Sequence, residues 1–121
     1  MIELLEGFPL NVVAIRASGE VTKHDYDAVL TPRIEAAFAG QDKVRVYYEV
    51  GGDFSGFEPG AMWADFRMGM AHLTGWDKVA VVTDVAWLRQ ATEFFRFMMP
   101  AEVKVFALAD AEAAKDWIRA T

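Results

Sequence analysis

The sequence predicts an α/β fold: a single mixed sheet of about five strands in the order β-β-α-β-α-β-α-β-α. Extended runs at residues 12–15, 44–50, 79–82 and 103–108 are rich in the β-branched and aromatic residues that favour strands. Between the later runs, apolar residues recur at helical spacing, which indicates crossover helices. The 121 residues, 54% of them hydrophobic, suffice for one core, so we predict one domain over residues 1–121.

Two short strands are predicted at the start of the chain. Residues 2–5 and 11–17 have strand character and are separated by a segment that contains Gly7 and Pro9. Glycine and proline so close together are typical of a tight turn. We therefore expect the two strands to form an antiparallel pair.

The first helix is expected to begin soon after the second strand. Its N-cap is either Thr22 or the pair His24 and Asp25, since all can accept hydrogen bonds from free backbone N–H groups. Pro32 lies inside the apolar pattern of this helix and has no N–H to donate, which predicts a kink or a late start. Gly40 is expected to end the helix.

A central strand and a second helix are predicted next. Residues 44–50 form the strand, residues 51–60 with their four glycines are expected to form a loop, and the helix begins near Pro59. On this helix a stripe about 100° wide has the width of a face that packs on a core. The stripe consists of Met62, Trp63, Phe66, Met70 and Leu73.

The third helix has the widest apolar face. We expect Asp84 to cap it and Pro100 to end it. Its apolar residues span about 140°: Trp87, Leu88, Ala91, Phe94, Phe95, Met98 and Met99. After the last strand, Asp110 is expected to start a final helix that Trp117 and Ile118 attach to the sheet.

Composition excludes several classes of function. A net charge of −6 argues against nucleic-acid binding and disfavours electrostatic attraction to anionic lipid, although not insertion of apolar side chains. The absence of cysteine excludes disulfides, thiol nucleophiles and thiolate metal sites. The first residues lack the basic region of a signal peptide, and no uncharged apolar run approaches about 18 residues. We therefore expect a cytoplasmic protein.

The chain resembles a known family. Residues 13–21, which contain Ser18-Gly19-Glu20, resemble the second strand and exit turn of STAS domains, the fold of bacterial anti-sigma-factor antagonists. Residues 24–26 and 30–35 resemble the first helix of SpoIIAA-like proteins, small bacterial domains also grouped with the lipid-binding CRAL-TRIO (SEC14) fold. This resemblance covers essentially the whole chain in element order. It implies a mostly uncharacterised domain that contacts membranes peripherally and holds small apolar ligands.

The sequence departs from STAS antagonists at their regulatory site. Those proteins resemble one another in a loop ending Asp-Ser-Ser-Gly-Leu, where a serine at the helix start is phosphorylated to break a partner complex. Here Glu58 and Pro59 occupy the place of that serine, and Ser55 lies earlier, in the predicted loop. The phosphoswitch is therefore not carried over to this chain.

The acidic residues and histidines form no convincing reactive group. Glu49, Asp53 and Glu58 are close in sequence, and carboxylates can serve acid–base chemistry or bind a hard cation, but we interpret them as solvated loop charges. Asp65 and His72 lie two turns apart on one helix and are interpreted as surface residues, not as a dyad. We predict no catalytic residue, no metal site and no cofactor, and hence a protein that is not an enzyme.

The surplus of bulky apolar residues is more informative. Phe97 and Met68 point away from the predicted stripes of their helices, near a loop that holds Phe54 and Phe57, and this predicts an exposed apolar patch. A homodimer or the fold itself would also account for such residues. We predict that the second and third helices gate a groove for an apolar small molecule or lipid, with peripheral membrane association. The expected lining residues are Phe54, Phe57, Met62, Trp63, Phe66, Met70, Trp87, Phe94, Phe95 and Met98.

An alternative of a different class is an antagonist-like protein-interaction module without the phosphorylatable serine. It would dock a regulatory partner through the edge of the first helix and residues 53–59. A small hydrolase or isomerase using Asp53 or Glu58 is the least favoured alternative, because it would need these carboxylates buried in a cleft that faces His24 or His72.

Overall fold

Five strands form one mixed sheet in the computed structural model, which describes residues 1–120. The strands follow one another across the sheet in the order β1-β2-β3-β4-β5. Their bounds are β1 Ile2–Leu4, β2 Val12–Val21, β3 Val44–Phe57, β4 Trp76–Thr83 and β5 Glu102–Phe106. β1 is antiparallel to β2, and the other neighbouring pairs are parallel. The predicted mixed α/β sheet is therefore confirmed.

The helices are α1 Lys23–Asp25, α2 Thr31–Gly40, α3 Pro59–Ala71, α4 Ala86–Phe95 and α5 Ala111–Arg119. Each step from β2 to β5 goes to the adjacent strand in the same direction, and such parallel crossovers are almost always right-handed. Consequently α1 to α4 lie on one face of the sheet, whereas α5, which follows the last strand, covers the other.

The alternation of side chains along the strands divides the core between these two faces. On the α1–α4 face, Ile15, Val46 and Val50 pack with Leu30 and Ile34. On the opposite face, the α5 face, the principal buried residues are Val12, Ala14, Tyr47, Ala80, Val82, Ala114 and Ile118. Both cores therefore depend on the same strands, and β3 supplies residues to each.

The first helical region begins as the sequence predicts and then departs from regular geometry. Thr22 Oγ1 accepts a hydrogen bond from the Asp25 N–H at 3.1 Å, and the Asp25 carboxylate accepts one from the Thr22 N–H at 2.8 Å, which forms a capping box. A π-helical turn over Tyr26–Leu30 then precedes α2, which carries Pro32 in its first turn. The wider turn places Pro32 in the first turn of α2, where backbone N–H groups have no partner within the helix and the missing N–H of proline loses no helical hydrogen bond.

Residues 51–57 belong to strand β3, so the prediction of a loop beginning at residue 51 is wrong. Gly19 of β2 pairs with Phe54, and Val21 pairs with Phe57, with register shifts between these pairs. Gly56 has a φ of 144°, a conformation that few other residues adopt. The glycines therefore serve a bulged strand extension, in which pairing with β2 outweighs their preference for loops.

The predicted ends of α4 are also wrong. Asp84 does not cap the helix, because its carboxylate accepts a hydrogen bond from the Leu108 N–H at 3.0 Å, across the end of the sheet. Thr83 Oγ1 instead accepts from the Val85 N–H at 3.1 Å, and the helix starts one residue later. It ends at Phe95, well before Pro100, so residues 96–100 form a turn that carries apolar side chains.

Helix α3 faces the core with a different side from the one predicted. The expected core stripe of Met62, Trp63, Phe66, Met70 and Leu73 is exposed. Ala61 is buried in its place, and Ala64 and Met68 pack against the core. Met68 was expected to be exposed and is instead partly buried. Small residues at Ala61 and Ala64 let this side approach closely, whereas the bulky stripe is turned toward α4 and solvent.

Candidate ligand cleft

A cleft of about 450 Å³ opens between α3 and α4 on the α1–α4 face of the sheet. Its volume lies in the range of about 300–1,000 Å³ typical of small-molecule sites. Trp76 holds the end of α3 by donating its indole N–H to the Gly69 carbonyl at 3.1 Å. Arg89 holds the start of α4 by donating from Nη1 to the Thr83 carbonyl at 2.8 Å. Both helices are thus fixed to β4 while the space between them stays open.

Seven of the ten predicted lining residues border this cleft: Phe57, Met62, Phe66, Met70, Trp87, Phe95 and Met98. The structure brings together residues from the end of β3, from α3, and from α4 with the turn after it. These residues are far apart in sequence, so the predicted grouping of the second and third helices around one space is observed. Binding of a ligand by them stays a prediction.

The other three predicted residues lie next to lining residues and do not border the cleft themselves. The Phe54 ring packs on Phe57 and Trp87, with centroid distances of 5.0 and 6.3 Å. Trp63 stacks on Phe66 at 5.7 Å, and Phe94 packs edge-on against Phe95 at 5.7 Å. They support the positions of the lining side chains and extend the exposed apolar surface around the cleft.

The floor of the cleft was not predicted, although the sequence contained a signal for it. It is formed by the sheet and the first helical region, through Leu30, Ile34, Val46, Val50, Val79, Val81 and Val103. Because side chains alternate along a strand, Val46 and Val50 had to share one face, as did Val79 and Val81. Sequence pattern assigned these residues to the core and could not show that part of the core remains open.

A polar network lies within this apolar cleft. The Tyr26 hydroxyl donates to Asp65 Oδ1 at 2.9 Å and is 3.1 Å from the Tyr48 hydroxyl. Tyr26 is buried, Tyr48 is partly buried and Asp65 is exposed, and all three border the cleft. A few convergent polar groups in an apolar pocket are typical of a site that orients a ligand.

The surroundings of this network disfavour charge. Burial raises the pKa of Asp65, and the hydrogen bond from Tyr26 opposes that shift only in part. Burial also raises the pKa of the Tyr26 and Tyr48 hydroxyls, so both stay protonated. Asp65 is nevertheless exposed to solvent on the open side of the cleft, and this exposure weakens the effect of burial on its pKa.

Asp65 is exposed, as the sequence predicts for a surface residue, but its hydrogen bond with Tyr26 was not predicted. The structure confirms that Asp65 and His72 form no dyad: His72 Nε2 is 3.0 Å from Glu35 and its ring stacks on Phe38 at 4.0 Å. A signal that Asp65 has a partner lay in the predicted stripe itself, where it is three residues from Met62 and adjacent to Phe66. A carboxylate inside an apolar stripe is rare unless it has a partner.

The three carboxylates that are close in sequence, Glu49, Asp53 and Glu58, do not form a common site. Glu49 is only 9% exposed on the α5 face, so its assignment to a solvated loop is wrong. Its carboxylate accepts from Arg16 Nε at 2.7 Å and from the Tyr47 hydroxyl at 2.6 Å. Burial opposes ionisation, but these hydrogen bonds outweigh it and lower the pKa of Glu49. Asp53 is exposed, and Glu58 accepts from the Lys23 backbone N–H at 3.1 Å.

Within residues 1–120, no group of three or more histidine and acidic side chains is placed to hold a metal ion. Over the same residues, no helix has the length and apolar character needed to cross a membrane. The cleft itself consists of apolar walls and the Tyr26–Tyr48–Asp65 network.

The exposed surface beside the cleft is also apolar. No residue of α4 within Ala86–Phe95 is buried. Phe97, in the turn after α4, is 87% exposed, as its position opposite the predicted stripe indicated. Monomeric proteins seldom present so many large apolar side chains together, so this region is a candidate interaction surface.

Comparison with known proteins agrees with this fold. The family model described as SpoIIAA-like matches residues 12–119. No curated protein matches the sequence. Among solved structures, the chain is similar to an uncharacterized protein from the DUF3478 family with a SpoIIAA-like fold, from Shewanella loihica PV-4. That chain is 26% identical, with a TM-score of 0.77 over 97% of this chain and 93% of the other. The chain therefore belongs to the SpoIIAA-like family.

Proposed function

We propose that this domain is a non-enzymatic binding protein that holds an apolar small molecule or the acyl chain of a lipid between α3 and α4. The observation that carries the proposal is the cleft of about 450 Å³, whose walls are almost entirely apolar. An apolar surface open to water is unfavourable, and an apolar guest would remove that cost.

The expected affinity is moderate. Each methylene group moved from water into the cleft contributes about 0.8 kcal/mol, so a ten-carbon chain contributes about 8 kcal/mol at most. Association costs and incomplete burial remove several kcal/mol of this. Dissociation constants on the order of micromolar are therefore expected, which corresponds to reversible binding.

Filling the cleft with a side chain tests the proposal. A Cβ at Gly69, which borders the cleft, would meet no atom within 4 Å. Gly69→Leu is expected to weaken binding of a decyl-chain ligand about tenfold or more, because its side chain occupies the same apolar space. The variant should unfold at the same or higher temperature than the natural protein, since leucine favours a helix by about 1 kcal/mol over glycine.

Gly69→Ala is the matched control. It gains at least as much helix propensity and leaves most of the cleft open, so its affinity should stay within about twofold of the natural protein. Binding is measured by quenching of tryptophan fluorescence, since Trp87 borders the cleft, and by native mass spectrometry. The proposal fails if no decyl-chain ligand binds at tens of micromolar, or if Gly69→Leu binds as tightly as Gly69→Ala.

Peripheral contact with a lipid surface is a second candidate, supported by the apolar side chains around the end of α4. Phe97 is 87% exposed and Phe94 66% exposed, and the Arg96 guanidinium lies 5.9 Å from the Phe97 ring. Exposed aromatic rings beside a cation suit the interface of a bilayer. Flotation with liposomes tests it; recovery of all protein in the lipid-free fraction would exclude this candidate.

The same surface would also suit a homodimer, which sedimentation at rising protein concentration would reveal. The antagonist-like interaction module rests on the fold alone, because Glu58 and Pro59 stand where the phosphorylated serine of antagonists lies. For either role, the cytoplasm stays the predicted location.

A further inference from the structure

We propose that the cleft selects ligands whose polar end donates a hydrogen bond, such as an alcohol or an ammonium group, over ligands that end in a carboxylate. This inference rests on the proposed function, because it names the chemical class of the molecule that the cleft would take. The observation that carries it is the arrangement of donors and acceptors in the Tyr26–Tyr48–Asp65 network.

The two hydroxyl hydrogens of the network are already used. The single hydrogen of Tyr26 is directed to Asp65 Oδ1 at 2.9 Å. The Tyr26 oxygen must then act as the acceptor in its 3.1 Å contact with Tyr48, which makes Tyr48 the donor. The order of donation is therefore Tyr48 to Tyr26 to Asp65.

What remains for a ligand is a set of acceptors. Tyr48 retains free lone pairs on its oxygen, and an ionised Asp65 has only acceptor positions. Within the described chain, Asp65 Oδ2 receives no hydrogen bond from the protein. Tyr48 and Asp65 both border the cleft, so these acceptors lie where the end of an apolar ligand would be placed.

A carboxylate would meet these groups unfavourably. Its two oxygens are acceptors facing acceptors, and its charge repels the Asp65 carboxylate, although the exposure of Asp65 to solvent screens part of this repulsion. A hydroxyl or ammonium group supplies the missing hydrogen, and an ammonium group also neutralises the acid. In the described part of the chain, Asp65 forms no ion pair, unlike the buried Glu49, which is paired with Arg16.

The experiment compares three ligands with the same decyl chain: decan-1-ol, decylamine and decanoate. Binding is measured at about pH 8, where an ordinary carboxylate is ionised and an alkylamine is protonated. The natural protein is expected to bind the alcohol and the amine at least about tenfold more tightly than decanoate.

Asp65→Asn replaces one acceptor oxygen by an NH₂ donor and removes the negative charge, with little change in the shape of the side chain. The asparagine Oδ1 can still accept from Tyr26, while its NH₂ group offers donors to the ligand. The ratio of decylamine to decanoate affinity is expected to fall about tenfold or more in this variant. Asp42→Asn, at an exposed site in the turn before β3, removes the same charge and should change the ratio less than about twofold.

The outcomes separate this inference from the function on which it rests. If Asp65→Asn leaves the ratio unchanged, or if decanoate binds the natural protein as tightly as decan-1-ol, the selection for donors is wrong while the apolar site stands. If the ratio falls equally in Asp42→Asn, the change of net charge alone explains the effect, and the selection for donors is again wrong. If none of the three ligands binds, the proposed function itself fails.

Discussion

The two faces of the sheet are built from the same strands but are covered in opposite ways. On the α5 face, Ala114 and Ile118 are fully buried and the helix lies directly on the sheet. On the other face, no residue of α4 within Ala86–Phe95 is buried, and a cleft remains beside α3. The α5 face is closed throughout, whereas the opposite face is closed beneath α2 and open between α3 and α4.

The difference follows from the size of the side chains on each helix. Helix α5 meets the sheet through Ala111, Ala114 and Ile118, which allow close approach. Helices α3 and α4 carry Phe, Trp and Met on the sides that face each other, and these bulky residues line the space between them. Most of the large apolar side chains that the fold leaves exposed therefore lie in or around this cleft.

Glu49 on the α5 face and Asp65 at the cleft differ in how the fold compensates their negative charge. Glu49 receives hydrogen bonds from Arg16 and Tyr47, which lower its pKa despite burial. Asp65 receives one hydrogen bond, from the neutral hydroxyl of Tyr26, and its pKa is raised. The charge of Glu49 is compensated within the fold by Arg16. Asp65 has no charged partner in the described chain and is exposed at the open side of the cleft.

The largest expected effect is on the closed face. Ile118→Ala should lower the free energy of unfolding by about 2–5 kcal/mol, because it removes buried atoms and leaves a cavity. Phe95→Ala, at a residue 53% exposed beside the cleft, should cost less than about 1.5 kcal/mol despite the larger deletion. Urea denaturation followed by circular dichroism measures both. Equal losses would show that the open face is as tightly packed as the closed one.

A smaller effect is expected for Glu49→Gln, about 1–3 kcal/mol of destabilisation at neutral pH. The lowered pKa of Glu49 means that its contribution is present above the ordinary carboxyl pKa and is lost as pH falls through the lowered value. The difference between variant and natural protein should therefore shrink below about pH 4. Denaturation curves at neutral and acid pH measure this, and a difference that persists unchanged in acid would contradict the role of the ionised form.

The smallest expected effect is a slight stabilisation, by Asp65→Asn. Because the pKa of Asp65 is raised, its ionised form is disfavoured by folding at neutral pH, and this penalty disappears as pH falls below the ordinary carboxyl value. Asp65→Asn should therefore stabilise the protein at neutral pH by less than about 1 kcal/mol, with no gain in acid. Thermal unfolding against Asp42→Asn as the control measures it. A loss of stability would place Asp65 among structural residues such as Glu49.

Some wrong predictions share a physical origin. Glycines at residues 51–56 predicted a loop, yet pairing with β2 made them part of a strand. The spacing of Met62, Phe66 and Met70 predicted a face packed on the core, yet this face borders the cleft. Helical periodicity identifies residues that share a side of a helix, but it does not show which side the fold turns inward.

The sequence by itself determined the order of strands and helices, the mixed sheet and the ten aromatic and methionine residues, seven of which border the cleft. These follow from local patterns that depend on neighbours within a few turns. Only the tertiary structure decided that α3 and α4 leave a space between them and that Tyr26, Tyr48 and Asp65 meet in it. These two contacts join residues 22 and 39 positions apart in three different elements, and such contacts are set by how the elements pack.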